Sequence, residues 1–169
     1  CAMEATTIER QVEHLVRQLE SPRTFQERVL AIDARRDGFV RQHSAADWHA
    51  LQQAAARLVR HGWIDRVWVG PEEGADAARV MREWFDLDSV STHSAKGAPL
   101  AMPLSAIGSC TADYVLQLDS DLLVGRADRD HDFVGEMIAA MEVDDTAVTV
   151  ALNVPQGADR PFSAGDGRG

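Results

Sequence analysis

The chain has little with which to hold nucleic acid: 17 basic residues stand against 27 acidic ones, a formal charge of -10 over 169 residues. A nucleic-acid binder needs a basic face to neutralise phosphates, and an anionic lipid surface makes the same demand. Cysteine is scarce as well. Cys1 and Cys110 are too few for a disulfide framework or a zinc site, and they point to a reducing cytoplasm. No stretch approaches the ~20 apolar residues that span a bilayer. The first apolar-rich segment is broken by Glu9, Arg10, Glu13 and Arg17, unlike the apolar core of a signal peptide. What is present, 45% hydrophobic and 26% charged residues, is the composition of an ordinary globular domain long enough to bury a core unaided.

Periodicity divides the chain into alternating elements. Ile8, Val12, Leu15, Val16 and Leu19 fall at helical spacing, so residues 5–20 read as an amphipathic helix ended by Ser21-Pro22. Arg28 to Asp33 reads as a short buried strand. After Asp37-Gly38, Ser44 and Asp47 have capping-box spacing, and Trp48, Leu51, Ala55, Leu58 and Val59 form one face of a helix stopping near Gly62. Val67-Trp68-Val69 is a second strand, and Val80, Met81, Trp84 and Phe85 are the apolar side of a third helix. Ser89 to His93 reads as a further short strand, followed by a small-residue helix interrupted by Pro103. Tyr114 to Leu118 has the clearest strand pattern, Phe133 to Met141 that of a helix, and Ala147 to Val154 that of a last strand. This alternation predicts an α/β domain with a largely parallel central sheet flanked by helices over residues 1–154. Residues 155–169, rich in Gly and lacking periodicity, read as an irregular C-terminal loop or the start of a missing half.

Asp119 and Asp121, one residue apart at the end of the Tyr114–Leu118 segment, are the leading candidates for chemistry. Ligands of α/β sheets bind outside the carboxyl ends of the strands. Paired hard oxygen donors there suit Mg²⁺ or Mn²⁺, which also take diphosphate oxygens. Read alone, the pair fits a solvated turn equally well. Asp33 ends the earlier strand, so a parallel sheet would bring it to the same edge, although a turn or helix cap is the commoner fate of such a residue. Lys96, before Gly97, is a cation that could meet a phosphate or simply face solvent.

Other constellations fall away. Asp128, Asp130 and Asp132 alternate as in a calcium loop, but Phe133 stands where glycine is needed and Ala139 where the bidentate Glu belongs. The six histidines form no ligand motif. His93 alone falls near the expected edge, where a surface role is the commoner reading. Trp48, Trp63, Trp68 and Trp84 lie on apolar faces and read as core.

The stretch from Ala112 to Asp121, ADYVLQLDSD, resembles the strand and Asp-x-Asp motif of family-2-type glycosyltransferases with the GT-A fold. The run Val29 to Asp33 followed by Asp37-Gly38 resembles their first aspartate segment, and Lys96-Gly97-Ala98 resembles a third. All three occur in the family's order and at about its spacing, over roughly residues 1–154. The resemblance implies a nucleoside-diphosphate sugar as donor, an acceptor of unknown nature and Mn²⁺ or Mg²⁺ as cofactor. It implies nucleotide contacts at Asp33, Lys96 and Asp119, with the metal at Asp119 and Asp121.

The departures are specific. Only the short Cys1-Ala2-Met3 opening stands ahead of the first helix, where the family has an apolar strand, and Ala34-Arg35-Arg36 replaces its second Asp and Ser. The family's acceptor-side half also lies beyond the last expected strand. The chain is therefore expected to be a portion of a longer protein, and no general base is named. Two other enzyme classes place carboxylates similarly. A haloacid-dehalogenase-like phosphatase would carry its Asp-x-Asp early and follow it with Gly-Thr, where this chain has Leu122-Leu123-Val124. A nucleotidyltransferase would open with a Gly-rich loop. The non-enzymatic alternative is a truncated domain that binds only nucleotide or a partner protein.

Overall fold

A computed structural model of the protein describes residues 2–33, 48–95, 97–120 and 122–151. Helix α1, Ala2–Leu19, buries Ala5, Ile8, Val12, Leu15 and Leu19 along one face. This is the stripe that the three- and four-residue spacing dictates. Arg17 donates to Glu13 one turn earlier on the outer face at 2.7 Å. Pro22 cannot continue the helix. Its last carbonyls are met by the Arg126 guanidinium, which donates to Gln18 O at 2.9 Å and also to Ser21 O.

Strands β1, Val29–Ile32, and β2, Arg66–Val69, pair in parallel, Val29 opposite Arg66 and Ile32 opposite Val69. A parallel pair requires a long crossover, and helix α2, Trp48–Arg60, lies within it. Leu51, Ala54, Ala55 and Leu58 of α2 pack with Ala5, Ile8 and Val12 of α1, and with Ile32 and Ile64, into the main core. Ala54 is fully buried, and so small a side chain lets two helices approach closely. The amino ends of both strands are fastened by charge. Arg28 N and Nε donate to Asp65 Oδ2 at 2.7 and 3.2 Å, and Arg66 Nε donates to Glu27 Oε1 at 2.6 Å.

Helices α3, Ala75–Phe85, and α4, Ala101–Gly108, pack on each other, and α4 also packs on β1. Trp68 Nε1 donates to Ser105 Oγ at 3.0 Å, tying α4 to β2. Pro103 does not interrupt α4. It sits in the first turn, where a backbone N–H has no intrahelical acceptor to lose. Helix α5, Phe133–Val143, is N-capped by Asp132, whose Oδ1 accepts from Gly135 N at 3.0 Å. Among the described residues no helix is long and apolar enough to cross a membrane.

The architecture is thus mixed α/β, with five helices and a two-stranded parallel sheet among the described residues. Three expected strands require correction. Ser89 to His93 supplies only an isolated antiparallel bridge, His93 with Pro99. Tyr114 to Leu118 is not a strand, and neither are residues 147–151, the described part of the last expected one. The apolar run of Tyr114 to Leu118 is real, but a strand is stabilised by a neighbour's ladder and cross-strand side chains. Without that neighbour Tyr114 and Val115 stand 40% and 44% exposed. Trp84 is likewise not core: it is 41% exposed, with Phe85, Leu87 and Val90 also exposed nearby in sequence. The cap at Ser44 and Asp47, the turn at Asp37-Gly38, and residues 155–169 lie outside the described residues.

Candidate functional site

β1 ends at Ile32, and the next residue, Asp33, stands at the carboxyl end of the parallel pair. Its neighbour at the end of β2 is Gly70, whose N–H donates to Ile32 O at 2.8 Å and prolongs the ladder by one bond. A β-carbon on Gly70 would lie 2.7 Å from Met102 Cβ. The absence of a side chain there is what lets the first turn of α4 close over the strand ends.

The segment leading into α4 completes this edge. Ser94 N donates to Ala98 O at 2.9 Å, and Gly97 N donates to Ser94 O at 2.7 Å. Gly97 adopts φ 78°, a left-handed conformation that glycine takes without steric cost. Thr92 O accepts from both Leu100 N and Ala101 N, at 3.0 and 3.1 Å, at the amino end of α4. From this loop His93 reaches back to the sheet: its Nε2 lies 2.9 Å from Asp33 Oδ2. Its other ring nitrogen, Nδ1, lies 2.7 Å from Thr92 Oγ1. The His93 side chain is 3% exposed and that of Asp33 is 28% exposed. The carboxylate therefore rests on a buried imidazole and keeps part of its surface in solvent.

Asp33, His93 and Thr92 are the residues the structure joins. Asp119 is exposed, and its carbonyl accepts from Leu122 N at 3.1 Å. Lys96 and Asp121 lie outside the described residues. Among the described residues no group of three or more His, Cys, Asp or Glu side chains is placed to hold a metal ion.

The carboxylates with shifted ionisation lie elsewhere and have structural causes. The Arg28 guanidinium hydrogen-bonded to Asp65 holds that carboxyl below its usual range, at the amino end of the sheet. Arg57 does the same for Glu9 between α2 and α1, and Arg23 for Asp132 at the start of α5. An open hollow of about 490 Å³ on α3, lined by Ala75, Ala78, Arg79, Arg82 and Glu83, shares no residue with the strand edge. Its walls come from one helix, so it encloses nothing.

Sequence reasoning left His93 at the surface. The available signal was its short distance in sequence from Gly97 and from the start of α4, but its contact is with Asp33, sixty positions away. No protein-family model, curated protein or solved structure matches this chain.

Proposed function

We propose that this chain is the nucleotide-sugar-binding part of a metal-dependent, GT-A-type glycosyltransferase, acting in the cytoplasm. The observation that carries the reading is Asp33, a partly exposed carboxylate at the carboxyl end of a parallel strand pair, backed by buried His93. That edge is where open α/β sheets bind nucleotides. The ordered sequence features at Asp33, Lys96, Asp119 and Asp121 add to it.

In this reading Asp33 accepts hydrogen bonds from the base or the ribose. The loop carrying His93 limits water at that contact, and Lys96 balances phosphate charge. Asp119 and Asp121 are the residues that would hold Mn²⁺ or Mg²⁺, which when bound would supply Lewis-acid stabilisation of the diphosphate as a leaving group. The acceptor would be activated by a group outside these residues.

Calorimetric titration of the chain with UDP and with GDP in the presence of Mn²⁺ tests the reading. One of the two nucleotides binds, and Asp33→Asn weakens that binding. Equal affinity in the wild type and the variant, or no binding of either nucleotide, contradicts it.

A further inference from the structure

The imidazole of His93 is buried, with Nε2 2.9 Å from Asp33 Oδ2 and Nδ1 in a hydrogen bond with Thr92 Oγ1, and the reading above gives it no direct contact with ligand. We propose that His93 is a positioning residue, which fixes the Asp33 carboxylate as a hydrogen-bond acceptor and so selects ligands that present a donor to it. This rests on the nucleotide-binding reading.

The direction of the chain follows from what each group can do. An ionised carboxylate only accepts, so the proton between His93 Nε2 and Asp33 Oδ2 belongs to the ring. In the neutral imidazole Nδ1 is then an acceptor, and the Thr92 hydroxyl, 2.7 Å away, donates to it. With that assignment both protons point toward Asp33, from Thr92 O–H to His93 Nδ1 and from His93 Nε2–H toward Asp33 Oδ2. A carboxylate faced by this donor chain meets a ligand as an acceptor. A base N–H or a ribose O–H satisfies it. An isostere that offers only a lone pair does not.

The loop makes the orientation stiff. The Thr92 carbonyl accepts from the amides of Leu100 and Ala101, and Ser91 Oγ donates to the His93 carbonyl at 2.9 Å. The backbone on both sides of the ring is therefore fixed independently of Asp33. The arrangement is not a nucleophilic triad. The Thr92 hydroxyl that would attack is buried, at 3% exposure, and is spent on the ring of its own sequence neighbour.

A double-mutant cycle on the whole chain tests the proposal, with UDP or GDP and Mn²⁺ as the probe and affinity as the readout. His93→Leu and Asp33→Asn are each expected to weaken binding about tenfold, the scale of coupling within one hydrogen-bond network. The double variant should be no weaker than Asp33→Asn alone, because His93 acts only through that carboxylate. His93→Gln, whose amide N–H can replace Nε2–H, should recover most of the loss. Wild-type affinity in His93→Leu together with weak binding in Asp33→Asn overturns the proposal and leaves the nucleotide reading standing. Absence of nucleotide binding by the wild type, or indifference to Asp33→Asn, overturns both. Should His93→Leu fail to fold, the ring nitrogens of the wild type decide. Long-range ¹⁵N–¹H spectra at mildly alkaline pH should show the neutral ring with its proton on Nε2, and a proton on Nδ1 instead overturns the proposal.

Discussion

Gly70→Ala probes how α4 closes the sheet edge. The added methyl would sit 2.7 Å from Met102 Cβ, 2.8 Å from its Cγ and 3.1 Å from its Cα. The last of these is backbone, so a rotamer change at Met102 cannot relieve the contact. Either α4 or the end of β2 must move by several tenths of an ångström. Overpacking of this kind costs about 1–3 kcal/mol. In a chain of this size that lowers the melting temperature by roughly 2–10 °C. The displacement also falls on the turn whose amides bind the Thr92 carbonyl. His93 and Asp33 should consequently shift with it, and nucleotide affinity should fall.

Two other glycines separate this effect from the loss of a glycine as such. A methyl at Gly125 meets nothing within 4 Å, so Gly125→Ala should stay within ~0.5 kcal/mol of wild type. Gly74 also has open space, but its φ of 119° and ψ of -142° suit glycine alone. Gly74→Ala should cost about 1–3 kcal/mol through backbone strain while sparing nucleotide affinity. Urea denaturation followed by circular dichroism measures all three, with a constant m-value as the check that only stability has changed. A Gly70→Ala variant as stable as Gly125→Ala would refute the packing of α4 on the strand end.

Further consequences concern the core and its charged fasteners. Leu58, 1% exposed between α1 and α2, should cost about 2–5 kcal/mol as Leu58→Ala, and a loss under ~1 kcal/mol in urea titration would mean that the two helices do not share that core. The carboxyls of Glu9 and Asp65 are held low by hydrogen bonds from Arg57 and Arg28. Depressed carboxylates contribute stability above their unfolded pKa values, about 4, and lose it as pH falls through the lower folded values. The urea midpoint should therefore be level near neutrality and drop below about pH 4, each exposed pair adding little; a midpoint that rises on acidification contradicts the pairing. At the start of α5, Asp132→Asn keeps a cap acceptor for Gly135 N but loses the charge facing Arg23. Its melting temperature should lie between those of wild type and Asp132→Ala, and the reverse order would count against Asp132 as the cap.

The helices were legible because their information is local. The stripe of Ile8, Val12, Leu15 and Leu19 specifies α1 without reference to the rest of the chain. The pattern around Leu51, Ala55 and Leu58 does the same for α2. β1 and β2 were legible as short apolar runs, and their parallel pairing as a consequence of the helical crossover. Tyr114 to Leu118 shows the limit of the method: residue pattern sets how a strand would present its side chains, whereas pairing depends on a partner elsewhere. The site divides in the same way. Asp33 was readable from its place at the end of an apolar run. The bond to His93 was not, because it spans sixty residues and depends on how the loop before α4 folds back.

The central claim, a nucleotide held with a divalent ion at this edge, is tested most directly by metal-dependent binding. UDP or GDP is titrated into the chain with Mn²⁺, then with excess chelator, for the wild type and for Asp121→Ala. The account predicts binding that weakens at least about tenfold on chelation, since removing one charged contact costs on the order of 1.5–3 kcal/mol. Asp121→Ala should lose that metal dependence while melting at the wild-type temperature. Binding of equal strength with metal, with chelator and in Asp121→Ala would contradict the account.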